Sequence, residues 1–451
     1  MLVLASNLAR PIYQSSQWLQ QGAPALVNRG ILDSLGFAIP MIGLARSPQE
    51  QKELTLDRIL VIGSAFFLAP AHAWVFKKLG AKVRKIPSTL LELNWKRHGK
   101  ILNGEYLKDG QHLLDGIQKK LTQLQSSHQK TNSLKQKKRF RTKINELKPL
   151  LSLSKEKAET LRIKLINAKM DLLIPDLMTE CLIFGNIGFI TNAFSKWLYG
   201  NQQFTGEQGI VSAEALRALY QEKKESELGG LSQKTRQRIT TGLSLLLPLS
   251  IGLTLKRSLK KLNPNKFWRN VQKLAYKFDY ENGQWMSMAA LSVVVALQEI
   301  GQLMASRSKR EFKEGFIRET VANVLFFVGN DFFAIGLARG LKRLFKTPVS
   351  HRLAKLPDNS TQKSKNLSAY SYFGGFLTNV AALAGVIIGN NALTTHHLKQ
   401  DAQEYYLKLS KHLKRGGLNF IYDQGAHLKN SRPNPSVFQP TTNYLDYQNI
   451  D

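Results

Sequence analysis

Thr320-Val-Ala-Asn-Val-Leu-Phe-Phe-Val-Gly-Asn-Asp-Phe-Phe-Ala-Ile-Gly-Leu-Ala338 contains no Lys or Arg and a single carboxylate. As a helix, a run of that length crosses a hydrocarbon layer about 30 Å thick, which takes roughly 17–25 residues. Six more stretches read the same way, at 31–45, 59–76, 178–198, 239–255, 285–305 and 370–393. The expected fold class is all-α: a polytopic membrane helix bundle of about six or seven spans. The stretch 31–45 is the weakest, being short and carrying Asp33 and Pro40, and is the first candidate to lie at the interface instead of crossing.

Between these stretches the chain is strongly basic. Lys and Arg number 64 against 32 Asp and Glu over 451 residues, a formal net charge of +32. The mean hydropathy of -0.24 hides the segregation of apolar spans from charged loops. Residues 77–169 alone hold 24 Lys/Arg against 7 Asp/Glu. Within them Leu113, Leu114, Ile117, Leu121 and Leu124 recur at helical spacing, and a second run follows through Ile144, Leu147, Leu151, Leu161 and Leu165. That pattern predicts two amphipathic helices forming an inserted basic helical hairpin. The run Lys135, Lys137, Lys138, Arg139, Arg141 and Lys143 is a candidate contact for anionic lipid or phosphate, although most charge runs are only solvated faces. The organisation expected is an N-terminal segment with two spans over 1–79, the basic insertion over 80–170, the main bundle over 171–395, and a C-terminal helix and disordered tail over 396–451.

Counted over alternate loops, Lys and Arg number 42 on one side and 22 on the other. The asymmetry places the N-terminus and the 80–170 insertion in the cytoplasm. The short basic loop from Arg307 to Lys313 falls on the opposite side and works against that assignment. The opening residues lack the basic start and apolar run of a cleavable signal. Residues 1–30 read as partly helical with Pro11 and Pro24 as breaks, 213–224 as a short helix, and 347–366 as a mobile connection.

An internal duplication is legible in outline. Gly188-Phe-Ile-Thr-Asn192 matches Gly375-Phe-Leu-Thr-Asn379 at a shift of 187, and Ile62-Gly-Ser-Ala-Phe-Phe67 matches Val328-Gly-Asn-Asp-Phe-Phe333 at a shift of 266. Three spans, a linking span and three more would form a parallel repeat about an axis along the membrane normal.

Polar side chains inside spans are costly and are functional candidates by default. They comprise Glu180, Asn186 and Asn192 in the third span, Glu299 in the fifth, Glu319, Asn323, Asn330 and Asp331 in the sixth, and Asn379 and Asn390 in the seventh. His72 and Gln298 add to them. Glu319, Asn323 and Asn330 fall on one face of a regular helix, as do Asn379 and Asn390. They either line a polar path or form an interhelix hydrogen-bond network. Gly336–Gly340 and Gly385–Gly389 have the small-xxx-small spacing of close helix crossings. The lone Cys181 reads as a small buried residue.

No phosphate-binding loop, dinucleotide fingerprint, zinc-protease or serine-hydrolase motif is present. No catalytic residue, cofactor or metal is assigned from sequence. The expected partner is a bilayer with anionic head groups, with room for a protein partner through 80–170 and for a homo-oligomer; nucleic acid is disfavoured. Two functions compete. The bulk of charge outside the spans favours a non-catalytic membrane anchor or scaffold presenting the basic region, and the polar stripes favour a transporter- or channel-like protein for an ion or small polar solute.

Overall fold

The computed structural model describes residues 2–22, 25–93, 105–199, 231–280, 285–357 and 359–414. Within them the chain is all-helical. Six helices are long and apolar enough to cross a membrane: Pro48–Arg84, Lys155–Leu198, Gln233–Lys260, Met288–Ala305, Lys309–Phe345 and Gln362–Glu404. They contain six of the seven expected spans. The seventh, 31–45, is helical but interrupted, and is not among those six.

The elements are α1 (Leu2–Gln17), α2 (Ala25–Asp33), α3 (Ile39–Gly43), α4 (Pro48–Gly63), α5 (Ala69–Arg84), α6 (Gly110–Lys130), α7 (Leu134–Leu147) and α8 (Lys155–Tyr199). They continue with α9 (Gln233–Lys260), α10 (Lys266–Ala275), α11 (Met288–Ala305), α12 (Lys309–Val324), α13 (Asn330–Phe345) and α14 (Gln362–Lys414). Wide π turns join α2 to α3 (Ser34–Ala38), α4 to α5 (Ser64–Leu68) and α12 to α13 (Leu325–Gly329), so each pair runs as one interrupted helix.

Several features recur 261 positions apart. Ser47 caps α4 by accepting from the Glu50 amide at 3.1 Å, and Ser308 caps α12 by accepting from Glu311 at 3.1 Å. The π turn that starts at Ser64 matches the one that starts at Leu325. The left-handed residues that end α5 and α13, Lys85 and Lys346, keep the same shift. A second shift, of 199, relates α8 to α14: the Asn192 amide donates to the Ala305 carbonyl at 2.6 Å, and Asn391 donates to Leu44 at 3.0 Å. Packing follows suit. α8 lies against α4, α5, α9 and α11, and α14 lies against α12, α13, α1 and the α2–α3 segment. Each long helix thus packs on elements from the other half of the chain. The registers of 266 and 187 read from sequence are not those the contacts follow. Short matches among Gly, Phe and Asn in apolar helices are frequent by chance.

In the region of the basic insertion, α6 packs against α7. Leu113, Ile117, Leu121 and Leu124 of α6 are buried, as is Leu147 of α7. The second periodic run is not one helix, because Pro149 lacks an amide donor and the chain passes through a short 3-10 turn at Lys148–Ser152 before α8 begins. At about 1.5 Å per residue, the 45 residues of α8 span roughly 67 Å, over twice the hydrocarbon thickness. Its N-terminal third is the spine against which the hairpin packs. There Arg162, fully buried, donates to the carbonyls of Leu107 and Leu259 at 2.7 and 2.8 Å.

Three smaller expectations need revision. Pro11 lies inside α1 without ending it. The 347–366 connection is tied down, with Arg352 paired to Asp331 and the Leu353 amide donating to Gln20 at 2.7 Å. The small-xxx-small motifs at Gly336–Gly340 and Gly385–Gly389 make no close crossing, since a Cβ at any of the four would meet open space. Close crossings are made instead by Gly185 on Gly301, between α8 and α11, and by Gly375 on Ala334, between α14 and α13. The C-terminal helix runs to Lys414, but Pro24, the 213–224 helix and the tail beyond 414 lie outside the described residues.

Candidate functional site

The buried charges collect where α4 and α12 begin. Arg46 pairs with Glu50 at 2.6 Å and reaches across to Glu314 at 2.8 Å; Arg307 pairs with Glu311 at 2.8 Å and reaches back to Glu53 at 2.9 Å. The exchange is reciprocal, residue for residue at the shift of 261. Burial disfavours the charge on both guanidiniums, yet the facing carboxylates outweigh it and hold their pKa values above the ordinary arginine range. Deeper along the same helices, Arg58 pairs with Asp57 at 2.6 Å and Arg318 with Glu319 at 3.1 Å. Glu50, Glu53 and Asp57 border one cavity together with Glu311, Glu314 and Arg318, and Arg58, Val61 and Ile62 border the next together with Glu319, Ala322 and Asn323, in the same order on both helices. α4 and α12 therefore run in parallel.

Two cavities follow one another along these helices. The outer one is bordered by Glu50, Glu53, Asp57, Arg307, Glu314 and Arg318, with Asn192 and Gln302. The inner one contains Asp33, Arg58, Gln298, Glu319 and Asn323 among apolar neighbours. Fourteen of its eighteen lining residues form equivalent pairs under the two shifts: Gly30 with Leu291, Phe37 with Gln298, Arg58 with Glu319, Val61 with Ala322, Ile62 with Asn323, Ala65 with Phe326, and Phe184 with Leu383. The inner cavity is thus lined largely by positions that match under the two shifts. Within three of those pairs, one side is apolar or cationic where its counterpart is an amide or a carboxylate.

Of the ten polar candidates read from sequence, Glu319 and Asn323 line the inner cavity and Asn192 the outer one. Glu299 stands behind, accepting from Thr320 at 2.7 Å and Asn323 at 2.8 Å. Asn330 leaves the stripe because the π turn inserted between it and Asn323 rotates the helix; it is buried with its carbonyl oxygen unpaired. Asp331 points away to Arg352. Asn379 and Asn390 share a face as expected and bind backbone carbonyls of Leu325 and Glu314 at 3.1 and 3.3 Å. Asn186 joins α8 to α9 by accepting from Thr241 at 2.9 Å. Glu180 lies elsewhere, beside His72 and Asp176. In the basic run Lys135, Lys138, Arg139 and Arg141 are exposed, Lys137 is half-buried, and Lys143 pairs with Glu92 at 2.5 Å.

Sequence reading missed most of the outer charges, which flank spans instead of interrupting them. A signal was present. Arg46-Ser-Pro-Gln-Glu-Gln-Lys-Glu53 and Arg307-Ser-Lys-Arg-Glu-Phe-Lys-Glu314 share the pattern Arg-Ser-x-x-Glu-x-Lys-Glu, a capping box repeated with its cross-pairing charges. It also accounts for the basic loop that opposed the topology: Arg307 and Arg310 are consumed by Glu53, Glu311 and Asp401. No family model, curated protein or solved structure matches the chain.

Proposed function

We propose that the chain is a multi-pass membrane protein made of two parallel copies of a four-helix unit, and that the cavity on their shared axis is a route for an ion or small polar solute. The units are α1, α2–α3, α4–α5 and α8, and then α9, α11, α12–α13 and α14. On this reading the fourth apolar stretch opens the second unit and does not link two halves. The apolar outer surface supports insertion: Ile59, Phe67, Trp197, Leu246, Phe332 and Leu344 all face outward. The basic insertion is assigned to the cytoplasm, which puts the Arg46 and Arg307 mouth on the far side.

The observation that carries the route is the axial cavity with Asp33, Arg58, Gln298, Glu319 and Asn323 on its wall. Ionisable groups at that depth cost several kcal/mol unless they are paired or hydrated, and repeat interfaces are where transporters place their sites. The test is flux through proteoliposomes for protons, Na+, K+ and Cl-. The reading expects at least one to pass, with Arg58→Gln or Glu319→Gln changing the rate about tenfold or more. A preparation closed to all four would favour the anchor.

The anchor reading keeps one specific support, the exposed face of Lys135, Lys138, Arg139 and Arg141 on a hairpin braced by α8. At about 1 kcal/mol per basic residue near an anionic surface, such a face would hold the leaflet beside it.

A further inference from the structure

On the insertion side of the bundle, three ligand-type side chains meet away from the axial cavity. His72 follows Pro70 on α5; Asp176 follows Pro175 on α8, and Glu180 lies one turn further on. A ligand atom from each lies within 4.8 Å of the others. Asp176 and Glu180 are 0% and 1% exposed, yet Asp176 Oδ1, Glu180 Oε1 and His72 Nδ1 are buried without a hydrogen-bond partner. Two carboxylates in one buried pocket repel each other, and leaving their oxygens unsatisfied is costly. Among the described residues no Lys or Arg forms an ion pair with either. We propose that His72, Asp176 and Glu180 bind a divalent transition-metal ion.

The spacing fits that assignment. His72 Nδ1 stands 3.6 Å from Asp176 Oδ1, too far for a hydrogen bond. It is close to the edge of about 3.4 Å between two ligands that each sit about 2.1 Å from one tetrahedral ion. The other oxygen of Asp176 accepts from the Tyr280 hydroxyl, which fixes the carboxylate and leaves Oδ1 for the pocket. Metal-ligating carboxylates are commonly held in this way. One imidazole with two carboxylates selects Zn2+, Mn2+, Fe2+ or Co2+ over Mg2+ and Ca2+, which prefer oxygen alone. A dication would also cancel the pair of negative charges.

The site belongs to one half only. The positions equivalent to His72, Asp176 and Glu180 are Phe333, Gly375 and Asn379, so the cluster is not a by-product of the shared packing. It stands independently of the axial route.

The test uses full-length, tag-free protein in detergent, stripped with EDTA and titrated with Co2+, followed by visible absorption and metal analysis, with Zn2+ as competitor. Wild type should take up one Co2+ per chain, displaced by Zn2+. Glu180→Gln and Asp176→Asn keep side-chain volume and should weaken uptake at least about tenfold, as should His72→Ala, with circular dichroism and elution unchanged. No stoichiometric uptake by wild type would overturn the proposal and leave a carboxyl pair sharing a proton. Uptake equal in wild type and Glu180→Gln would overturn it too.

Discussion

Arg307 is a residue whose sequence context suggests a solvated loop and whose structure makes it a keystone. Its guanidinium joins Glu311 to Glu53, and its side chain is only 7% exposed. Arg307→Met should cost about 3–5 kcal/mol in detergent denaturation, because two carboxylates lose their cation. Double-mutant cycles on Arg46 with Glu314 and on Arg307 with Glu53 should return coupling energies of the same sign and similar size, about 0.5–3 kcal/mol. A cycle near zero on one side would break the reciprocity. Lys120 of α6 behaves differently. It is 1% exposed, donates to the Glu92 carbonyl at 2.9 Å, and burial pushes its pKa down from 10.5 to about 7. The folded chain then holds a neutral lysine where the unfolded chain holds a charged one, so stability should rise with pH between about 7 and 10.5 and the penalty is complete below that window. Lys120→Met should flatten this slope by about 1–3 kcal/mol and stabilise the protein at pH 6; an unchanged slope would assign the effect to other groups.

At the scale of the helix, α8 and α11 cross so closely that a Cβ on Gly301 would stand 1.9 Å from the Gly185 carbonyl oxygen. Gly301→Ala should therefore cost about 1–3 kcal/mol, whereas Gly385→Ala, facing open space, should be neutral or gain up to about 1 kcal/mol of helix propensity. Thermal melts of the two variants separate a true crossing from a motif that merely has the spacing. The helices themselves were legible because length and apolarity are local properties. The face of α12–α13 was not, since the π turn at Leu325–Gly329 leaves no distinctive residue pattern and yet moves Asn330 off the stripe of Glu319 and Asn323. The crossings were misread for a similar reason: Gly at a spacing of four permits approach but does not cause it. Pro149 did mark the break before α8, but hydrophobic periodicity ran through it and masked the signal.

For the whole molecule, charge and apolar length were enough to suggest a bundle with a basic hairpin and a repeat. On the proposed reading the axis is hidden from sequence because matching positions that line the cavity differ in chemistry, as in Arg58 with Glu319 and Ile62 with Asn323. The remaining identity of the two copies lies in the polar caps outside the apolar stretches. The parallel arrangement expects cysteines at the equivalent exposed positions Lys52 and Lys313 to be labelled from one side of the membrane, and one at Lys135 from the other. The most direct test is labelling in a Cys181→Ser background with a charged, membrane-impermeant thiol reagent, comparing the axial pair Ile62→Cys and Asn323→Cys with the outward-facing pair Phe67→Cys and Val328→Cys. Phe67 and Val328 are 76% and 55% exposed on the apolar surface. The account expects both axial cysteines to react through water and both outward cysteines to be shielded by lipid; protection of the axial pair, or reaction at all four positions, would contradict it.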